Sequence, residues 1–443
     1  MFPITRAVTL PVFTTSSGET RFGLAPSRTV LPNGVVVVAK ETPTLPAVTI
    51  SLAMRAGSVC DPADAPGAVF LLSRAIDRGT ATRSAADIAE DLDSRGITLT
   101  IAVTRHILSL VCTCLTEDFE AVCALLGDIV MSPSFPELEL GIRKAEVITA
   151  IRQDEDNPAV RAVESLMALL YPAGHPYGRR TKGTVDVVEA LTRQRLVRLH
   201  AERFAPSELT AVVVGDVPAG RAIDVAGCVF GDWRVPPPVP IVLPRVVPAD
   251  QRQRLVIPMM NKAQADVTYG FTAIARRDPA YYACWLMNNV LGQYSMGGRL
   301  GDSIRERQGM AYYAFSSLDA NVVEGPLTIR AGVSPANVER AVSSIDDEVS
   351  RLALEGITAK ELKESQQYLV GSMPRALETN VGIATFLQTT EFFDLGLDYD
   401  LRLPDLLRVV TLEDVHAAAK RLLHPNRATV VIAGPYEDRG EIG

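Results

Sequence analysis

The sequence of 443 residues is poor in histidine, the side chain that many zinc enzymes use to hold their metal. It contains five histidines, and no two of them are three or four positions apart, the spacing that brings a pair to one face of a helix. The Gly-x-Ser-x-Gly elbow of serine hydrolases and the Gly-x-x-x-x-Gly-Lys loop of nucleotide-binding proteins are also missing. These absences argue against an independent zinc, serine-hydrolase or nucleotide site.

Cysteine is sparse as well, with six residues and no Cys-x-x-Cys pair. Cys112 and Cys114 lie in an apolar run, where strand alternation would place both side chains on one face. We expect buried, reduced thiols that pack as small hydrophobic side chains rather than a metal site. Such usage fits a reducing compartment.

Long apolar runs and dense positive charge are lacking too. No run approaches the roughly 18 residues that a membrane-spanning helix needs, and a net charge of −8 with scattered Lys and Arg forms no basic patch for nucleic acid. The first residues do not show the charged segment and apolar block of a signal peptide. We therefore expect no membrane span, no nucleic-acid partner and a cytoplasmic location, with a periplasmic location left open.

The sequence does contain an internal repeat. Three landmark residues recur in the two halves at one constant offset: Thr192 and Thr411, Pro206 and Pro425, Gly215 and Gly434. Amphipathic helices recur in both halves as well. Gene duplication explains a register shared over this length, and the chain length suits two domains of about 200 residues each.

Five prolines between Trp233 and Pro244 indicate a stiff, extended connection between the halves. The predicted organisation has four parts in chain order: an N-terminal arm (1–27), an N-terminal domain (28–235), a Pro-rich linker (236–250) and a C-terminal domain (251–443).

Local signals predict strands and helices in each half without strict alternation. The Asn33-Gly34 pair between apolar runs predicts a hairpin turn, and Ser84 followed by an aspartate predicts a helix N-terminus. A long helix is predicted for 137–154, and Ala265–Thr272 alternates like a strand with one buried face. The expected fold class is α+β, with two homologous domains that each consist of a mostly antiparallel sheet with helices packed on one face.

One segment of the second half carries candidate catalytic residues. Arg305 and Tyr312 are seven positions apart in the pattern Arg-Leu-x-x-x-Ile-Arg-Glu-x-x-Gly-x-Ala-Tyr. This pattern resembles that of the pitrilysin and mitochondrial-processing-peptidase zinc metallopeptidases, the inverzincins, and the resemblance covers residues 28–434. It implies that Gly309 ends a helix before a strand, and that Arg305 and Tyr312 bond the substrate carbonyl oxygen beside the scissile bond.

An arginine cation and a tyrosine hydroxyl suit the negative charge that develops on a carbonyl oxygen when water attacks it. Arg307 and Tyr313 are neighbouring alternatives to this pair, although they do not keep the family spacing.

The zinc motif of that family, H-x-x-E-H, is degenerate in this chain. An ungapped count between Gly67 and Gly79-Thr80 aligns the motif: the resemblance then implies Phe70 and Arg74 at the histidines and Ser73 at the glutamate that activates water. On a later helix, the segment 145–150 resembles the one that carries the third family ligand and implies Ala150 at that position. A catalytic zinc needs about three protein donors and an open position. No metal is therefore expected in this chain.

The family holds its substrate as an added strand on a sheet edge. The resemblance implies that the corresponding substrate-binding residues are Thr98, Thr100 and Ala102, although the family usually has asparagine at the position of Thr100.

These residues together predict the non-zinc subunit of a heteromeric metallopeptidase that cleaves peptides in a closed chamber. A homologous subunit with H-x-x-E-H would supply the zinc, and this chain would be an accessory subunit that is inactive alone. Two alternatives stay open: a catalytically inert structural subunit of a larger assembly, and a peptide-binding module of the same fold.

Overall fold

A computed structural model describes residues 23–294 and 297–437 of the chain. Its strands, in chain order, are β1 (Ser27–Val30), β2 (Val36–Glu41), β3 (Ala47–Met54), β4 (Thr100–Val103), β5 (Leu108–Leu115), β6 (Leu209–Gly215), β7 (Gln253–Pro258), β8 (Ala265–Thr272), β9 (Ala311–Leu318), β10 (Pro326–Val333) and β11 (Thr429–Gly434).

The α-helices, in chain order, are α1 (Ala68–Ala75), α2 (Ala85–Asp93), α3 (Phe119–Met131), α4 (Glu137–Glu155), α5 (Pro158–Leu170), α6 (Val185–Ala190), α7 (Arg193–Arg203), α8 (Ala219–Phe230), α9 (Tyr281–Asn288), α10 (Gly298–Leu300), α11 (Val338–Glu355), α12 (Ala359–Ala376), α13 (Asn380–Phe392), α14 (Tyr399–Arg408) and α15 (Leu412–Leu422).

Two compact units contain these elements, and the fold class is α+β as predicted. The first unit is built from residues 23–151, 180–242 and 373–402, and the second from the described residues of 152–179, 243–372 and 403–437. No helix in the described ranges is both long enough and apolar enough to span a membrane.

The two sheets show that the halves are homologous. The sheet of the first unit has the order β1-β2-β6-β3-β5-β4, and the sheet of the second unit has the order β7-β11-β8-β10-β9. Without β1 the two orders are equivalent, and each sheet has one parallel pair at the same place, β2 with β6 and β7 with β11. All other neighbouring strands are antiparallel.

Several local predictions are confirmed. Strands β1 and β2 form the predicted hairpin, and Gly34 takes a φ of +99°, a backbone conformation that favours glycine. Ser84 caps helix α2 in a capping box with Asp87, which satisfies backbone N–H groups that a helix start leaves free. The long helix α4 covers the predicted segment.

Two helices lie in the unit opposite to their half of the sequence. Helix α5 packs on β8 and β11 of the second unit, while α13 packs on β6 and β3 of the first. In the first unit, Ile383, Ala384 and Leu387 of α13 join a core cluster with Val212 and Val214 of β6. The compact units therefore differ from the contiguous halves of the sequence in these two segments.

The strand predicted to have one buried face is instead buried throughout. All eight residues of β8 are buried, so that expectation is wrong. Helix α5 covers one face, where Leu166 lies against Gly270. On the other face, the Tyr269 hydroxyl donates a hydrogen bond of 2.9 Å to Asp346 of α11.

Candidate functional site

The Arg305–Tyr312 segment of the second unit begins as a helix and ends as a strand, as predicted. Helix α10 continues as a wider π-helical stretch over Gly301–Arg307. Gly309 then takes a φ of +60°, and the Met310 N–H bonds to the Ile304 carbonyl at 3.1 Å. Glycine adopts this left-handed conformation at low cost, so the helix can end here. Strand β9 begins two residues later, at Ala311.

Tyr312 occupies a β-bulge on an edge strand. In the pairing of β9 with β10, Tyr313 lies opposite Gly332 and Ala311 lies opposite Val333, so that Tyr312 is the extra residue. Bulges turn a side chain away from the regular alternation of a strand. Tyr312 is 76% exposed.

Arg305 is half-buried and only partly bonded. Its Nε donates to the Glu306 carboxylate at 2.9 Å. Its Nη2 atom is buried and has no hydrogen-bond partner among the described residues. An unsatisfied buried donor costs about 1–3 kcal/mol.

The neighbouring alternatives to this pair have partners of their own. Arg307 is exposed and forms an ion pair with Asp302. The Tyr313 hydroxyl donates to the Asp266 carboxylate, which is buried in β8. Both side chains therefore have structural partners, as Arg305 has in Glu306.

Arg299 is the first residue of the Arg-Leu-x-x-x-Ile-Arg-Glu-x-x-Gly-x-Ala-Tyr pattern, and it anchors the helix. Its guanidinium forms two hydrogen bonds of 2.7 and 2.8 Å with Glu361 of α12, and a third of 3.1 Å with the Gly356 carbonyl. Burial opposes ionisation of Glu361, but the bonds from Arg299 and Thr358 outweigh it and lower the pKa of this carboxyl to about 2. The start of the segment is thus fixed by a charge-assisted pair.

The degenerate zinc motif lies in the first unit on a well-held helix. One oxygen of Asp61 accepts the Gly67 N–H at 2.8 Å and the other accepts the Val69 N–H at 2.7 Å, which satisfies the N-terminus of α1. At the other end of the motif, Thr80 donates to Asp128 at 2.7 Å. Gly67 and Thr80, which surround the motif, therefore take part in hydrogen bonds that hold the segment in place.

The former ligand positions offer almost no metal donors. Phe70, Ser73 and Arg74 lie on α1 and Ala150 on α4; the Ser73 hydroxyl bonds the Phe70 carbonyl at 2.7 Å, and Arg74 is exposed. In the described part of the chain, no group of three or more His, Cys, Asp or Glu side chains is placed to hold a metal ion. These residue types do not fit a zinc ion.

Positive charge near α1 adds to this misfit. Burial raises the pKa of Asp77, whereas the charges of Arg78, Arg74 and Arg143 act in the opposite direction. Glu146 of α4, a potential substitute ligand, pairs instead with Arg143 at 2.7 Å. Three arginines around one acid would repel a divalent cation.

The predicted substrate strand is at the edge of its sheet but is shorter than expected. Strand β4 begins at Thr100, pairs only with β5, and exposes Thr100 and Ala102. Thr98 is exposed but precedes the strand. An edge strand leaves backbone N–H and C=O groups unpaired, and these are the groups that an added peptide strand bonds.

Two histidines prove to be structural. His175 is buried, and its Nδ1 accepts the Tyr177 N–H at 3.1 Å. The His200 ring packs against Phe204, and its Nε2 lies 2.8 Å from the Val130 carbonyl. Burial lowers the pKa of His200.

Comparison with known proteins places these features in a family. A profile described as Insulinase (Peptidase family M16) matches residues 36–184, and one described as Peptidase M16 inactive domain matches residues 190–369. An uncharacterized zinc protease of Streptomyces coelicolor is 26% identical over 421 residues, which cover 93% of this chain and 90% of that protein. A non-peptidase homolog of Helicobacter pylori is 24% identical over 406 residues, which cover 90% and 91%.

Solved structures agree on the fold. The crystal structure of a peptidase M16 inactive domain from Pseudomonas fluorescens matches with a TM-score of 0.84 and 24% identity, covering 93% of this chain and 98% of that one. A protease from Helicobacter pylori matches with a TM-score of 0.85 and 17% identity, covering 93% and 99%. With both profiles matched in order along the chain, this protein belongs to peptidase family M16.

Proposed function

We propose that this chain is the non-zinc subunit of a two-chain metallopeptidase, and that it supplies Arg305 and Tyr312 to a partner that holds the metal. One observation carries the proposal: a buried guanidinium nitrogen without a partner in the described chain and a tyrosine on a bulge occur in a protein whose former zinc positions lack donors.

The proposed role of Arg305 and Tyr312 is to stabilise negative charge on the substrate carbonyl oxygen. When a water molecule held by the partner attacks the peptide carbonyl, negative charge collects on the carbonyl oxygen. The Arg305 guanidinium and the Tyr312 hydroxyl would each donate a hydrogen bond to that oxygen. Preorganised donors of this kind contribute about 3 kcal/mol each to transition-state stabilisation.

The edge strand β4 would hold the substrate backbone. The exposed side chains of Thr100 and Ala102 alternate with Ile101 and Val103 along β4, so a peptide could add to the sheet beside them. Main-chain bonding of this type gives affinity with little dependence on sequence. The substrate class that follows is an extended peptide.

Mixing experiments test the proposal. The isolated chain should hydrolyse no peptide and bind no stoichiometric zinc, and activity should appear when a homologous subunit with H-x-x-E-H is added. In the mixture, Tyr312→Phe should lower kcat by about 10²-fold, the effect of removing one oxyanion donor. Full activity of the zinc-bearing subunit alone, with no gain on adding this chain, would contradict the proposal.

A catalytically inert structural subunit is the second candidate. The Helicobacter pylori relative named a non-peptidase homolog favours it. Under this alternative the chain would co-purify with a larger assembly, and Tyr312→Phe would change neither activity nor composition of that assembly. A peptide-binding module would instead bind extended peptides in the isolated state, which a peptide titration of the purified chain detects.

A further inference from the structure

A row of three residues crosses the second sheet next to the bulge. In the strand pairing, Asp266 of β8 lies opposite Gly332 of β10, and Gly332 lies opposite Tyr313 of β9. Neighbouring strands are about 4.8 Å apart, so the backbones of Asp266 and Tyr313 are separated by about 10 Å. The Tyr313 hydroxyl nevertheless donates to the Asp266 carboxylate.

Glycine at the middle of the row makes this bond possible. A Cβ at position 332 would lie 2.6 Å from Cε1 of the Tyr313 ring, and it would also collide with the Gln264 amide. The ring therefore crosses the space that a side chain on β10 would fill. Any residue larger than glycine would push Tyr313 away from Asp266.

The protonation states of Tyr313 and Asp266 favour the hydrogen bond between them. Burial raises the pKa of Tyr313, and the hydrogen bond to Asp266 raises it further, so the phenol stays protonated and remains a donor. Asp266 is only 5% exposed. Burial raises its pKa, although Tyr313 and the charge of Arg330 act against that shift. Breaking the bond would leave a buried carboxyl group short of a partner.

The position of this bond determines which residue is extra in the bulge. Edge strands can slip in register, and a slip of one residue sends each side chain to the other face. In the observed register, Tyr313 pairs with Gly332 and its phenol reaches Asp266, and that same pairing makes Tyr312 the unpaired residue. We propose that Tyr313, bonded to Asp266 across the space left by Gly332, is a positioning residue that fixes the bulge and so presents Tyr312 to the substrate. This rests on the proposed role of Tyr312.

A spectroscopic experiment on the isolated full-length chain tests the positional part. Tyr312 is replaced by 3-fluorotyrosine, and the fluorine NMR signal is compared between the parent, Tyr313→Phe and Gly332→Ala. Both variants should shift or split the signal, because the bulge is no longer held in one register. Tyr436→Phe is the matched control: it removes another tyrosine–carboxylate bond, to Glu339, in the same unit. An unchanged signal in Tyr313→Phe would overturn the proposal.

Kinetics of the assembled two-chain enzyme test the consequence. Tyr313→Phe should lower kcat by roughly 10- to 100-fold with little change in KM, the expected cost of a misplaced catalytic group. Asp266→Asn keeps an oxygen acceptor and should retain most of the activity, whereas Asp266→Ala should not. A merely structural role would lower stability in both variants without separating them in kcat.

The two proposals fail in different ways. If Tyr312→Phe lowers kcat while Tyr313→Phe does not, the positioning role is wrong and the proposed function stands. If Tyr312→Phe has no effect, the proposed function is wrong, and the fluorine signal alone decides whether Tyr313 holds the bulge.

Discussion

The degenerate zinc segment of the first unit and the Arg305–Tyr312 segment of the second unit differ in their functional side chains. Both retain the residues that shape their backbone: Asp61 caps α1 in one, and Arg299 anchors the helix in the other. Only the second also has side chains, Arg305 and Tyr312, for which we propose a role on a substrate. Residues that surround a motif can therefore persist for folding after the chemistry of that motif is gone.

The largest effect is expected from returning the lost ligands to the first segment. The combined variant Phe70→His, Ser73→Glu, Arg74→His and Ala150→Glu would supply three donors and a general base on an intact helix frame. It should bind one zinc ion per chain, measured by metal analysis after dialysis. Phe70→His alone is the control and should bind none under the same conditions. A folded combined variant without zinc would show that the frame has not kept the geometry of the site.

The next largest effect is expected on the stability of helix α1, which carries the degenerate zinc motif. Asp61→Ala removes two hydrogen bonds to buried backbone N–H groups and should lower the free energy of unfolding by about 3 kcal/mol, measured by urea denaturation. Asp64→Ala, which breaks an exposed ion pair with Arg195 in the same loop, should cost less than about 1 kcal/mol. Equal effects of the two substitutions would mean that Asp61 has no special role in holding α1.

A smaller effect is expected from pH at the Arg299 anchor. The pKa of Glu361 is lowered from 4.5 to about 2 in the folded chain. Its contribution to stability is therefore present above pH 4.5 and is lost as the pH falls towards 2. Glu361→Gln should make the unfolding midpoint in urea less dependent on pH over this window. If Glu361→Gln showed the same pH dependence of the unfolding midpoint as the parent, that dependence would come from other carboxyl groups. Glu364→Gln is the control.

Sequence reasoning was successful where local chemistry decides the structure. The Asn33-Gly34 turn, the Ser84 cap and the Gly309 helix end each depend on a few neighbouring residues, and each was predictable. The repeat also predicted two homologous sheets, because equivalent landmarks imply equivalent neighbours.

The features that were missed depend on contacts between distant parts of the chain. The bulge at Tyr312 is a one-residue offset between two strands, and it leaves no mark in composition or spacing. The burial of one face of β8 follows from α5, which comes from the other half of the sequence, and α11 lies against the other face. Gly332 was the one available signal for the Tyr313–Asp266 bond, since a glycine inside a strand often marks close approach of another group.

The most direct test of the central claim compares two arginines in one helical stretch. In the enzyme assembled with a zinc-bearing subunit, Arg305→Ala should lower kcat by about 10²- to 10³-fold, while Arg307→Ala, which removes only an exposed ion pair with Asp302, should leave it within about twofold. Equal activity of the Arg305→Ala enzyme and the parent would contradict the account.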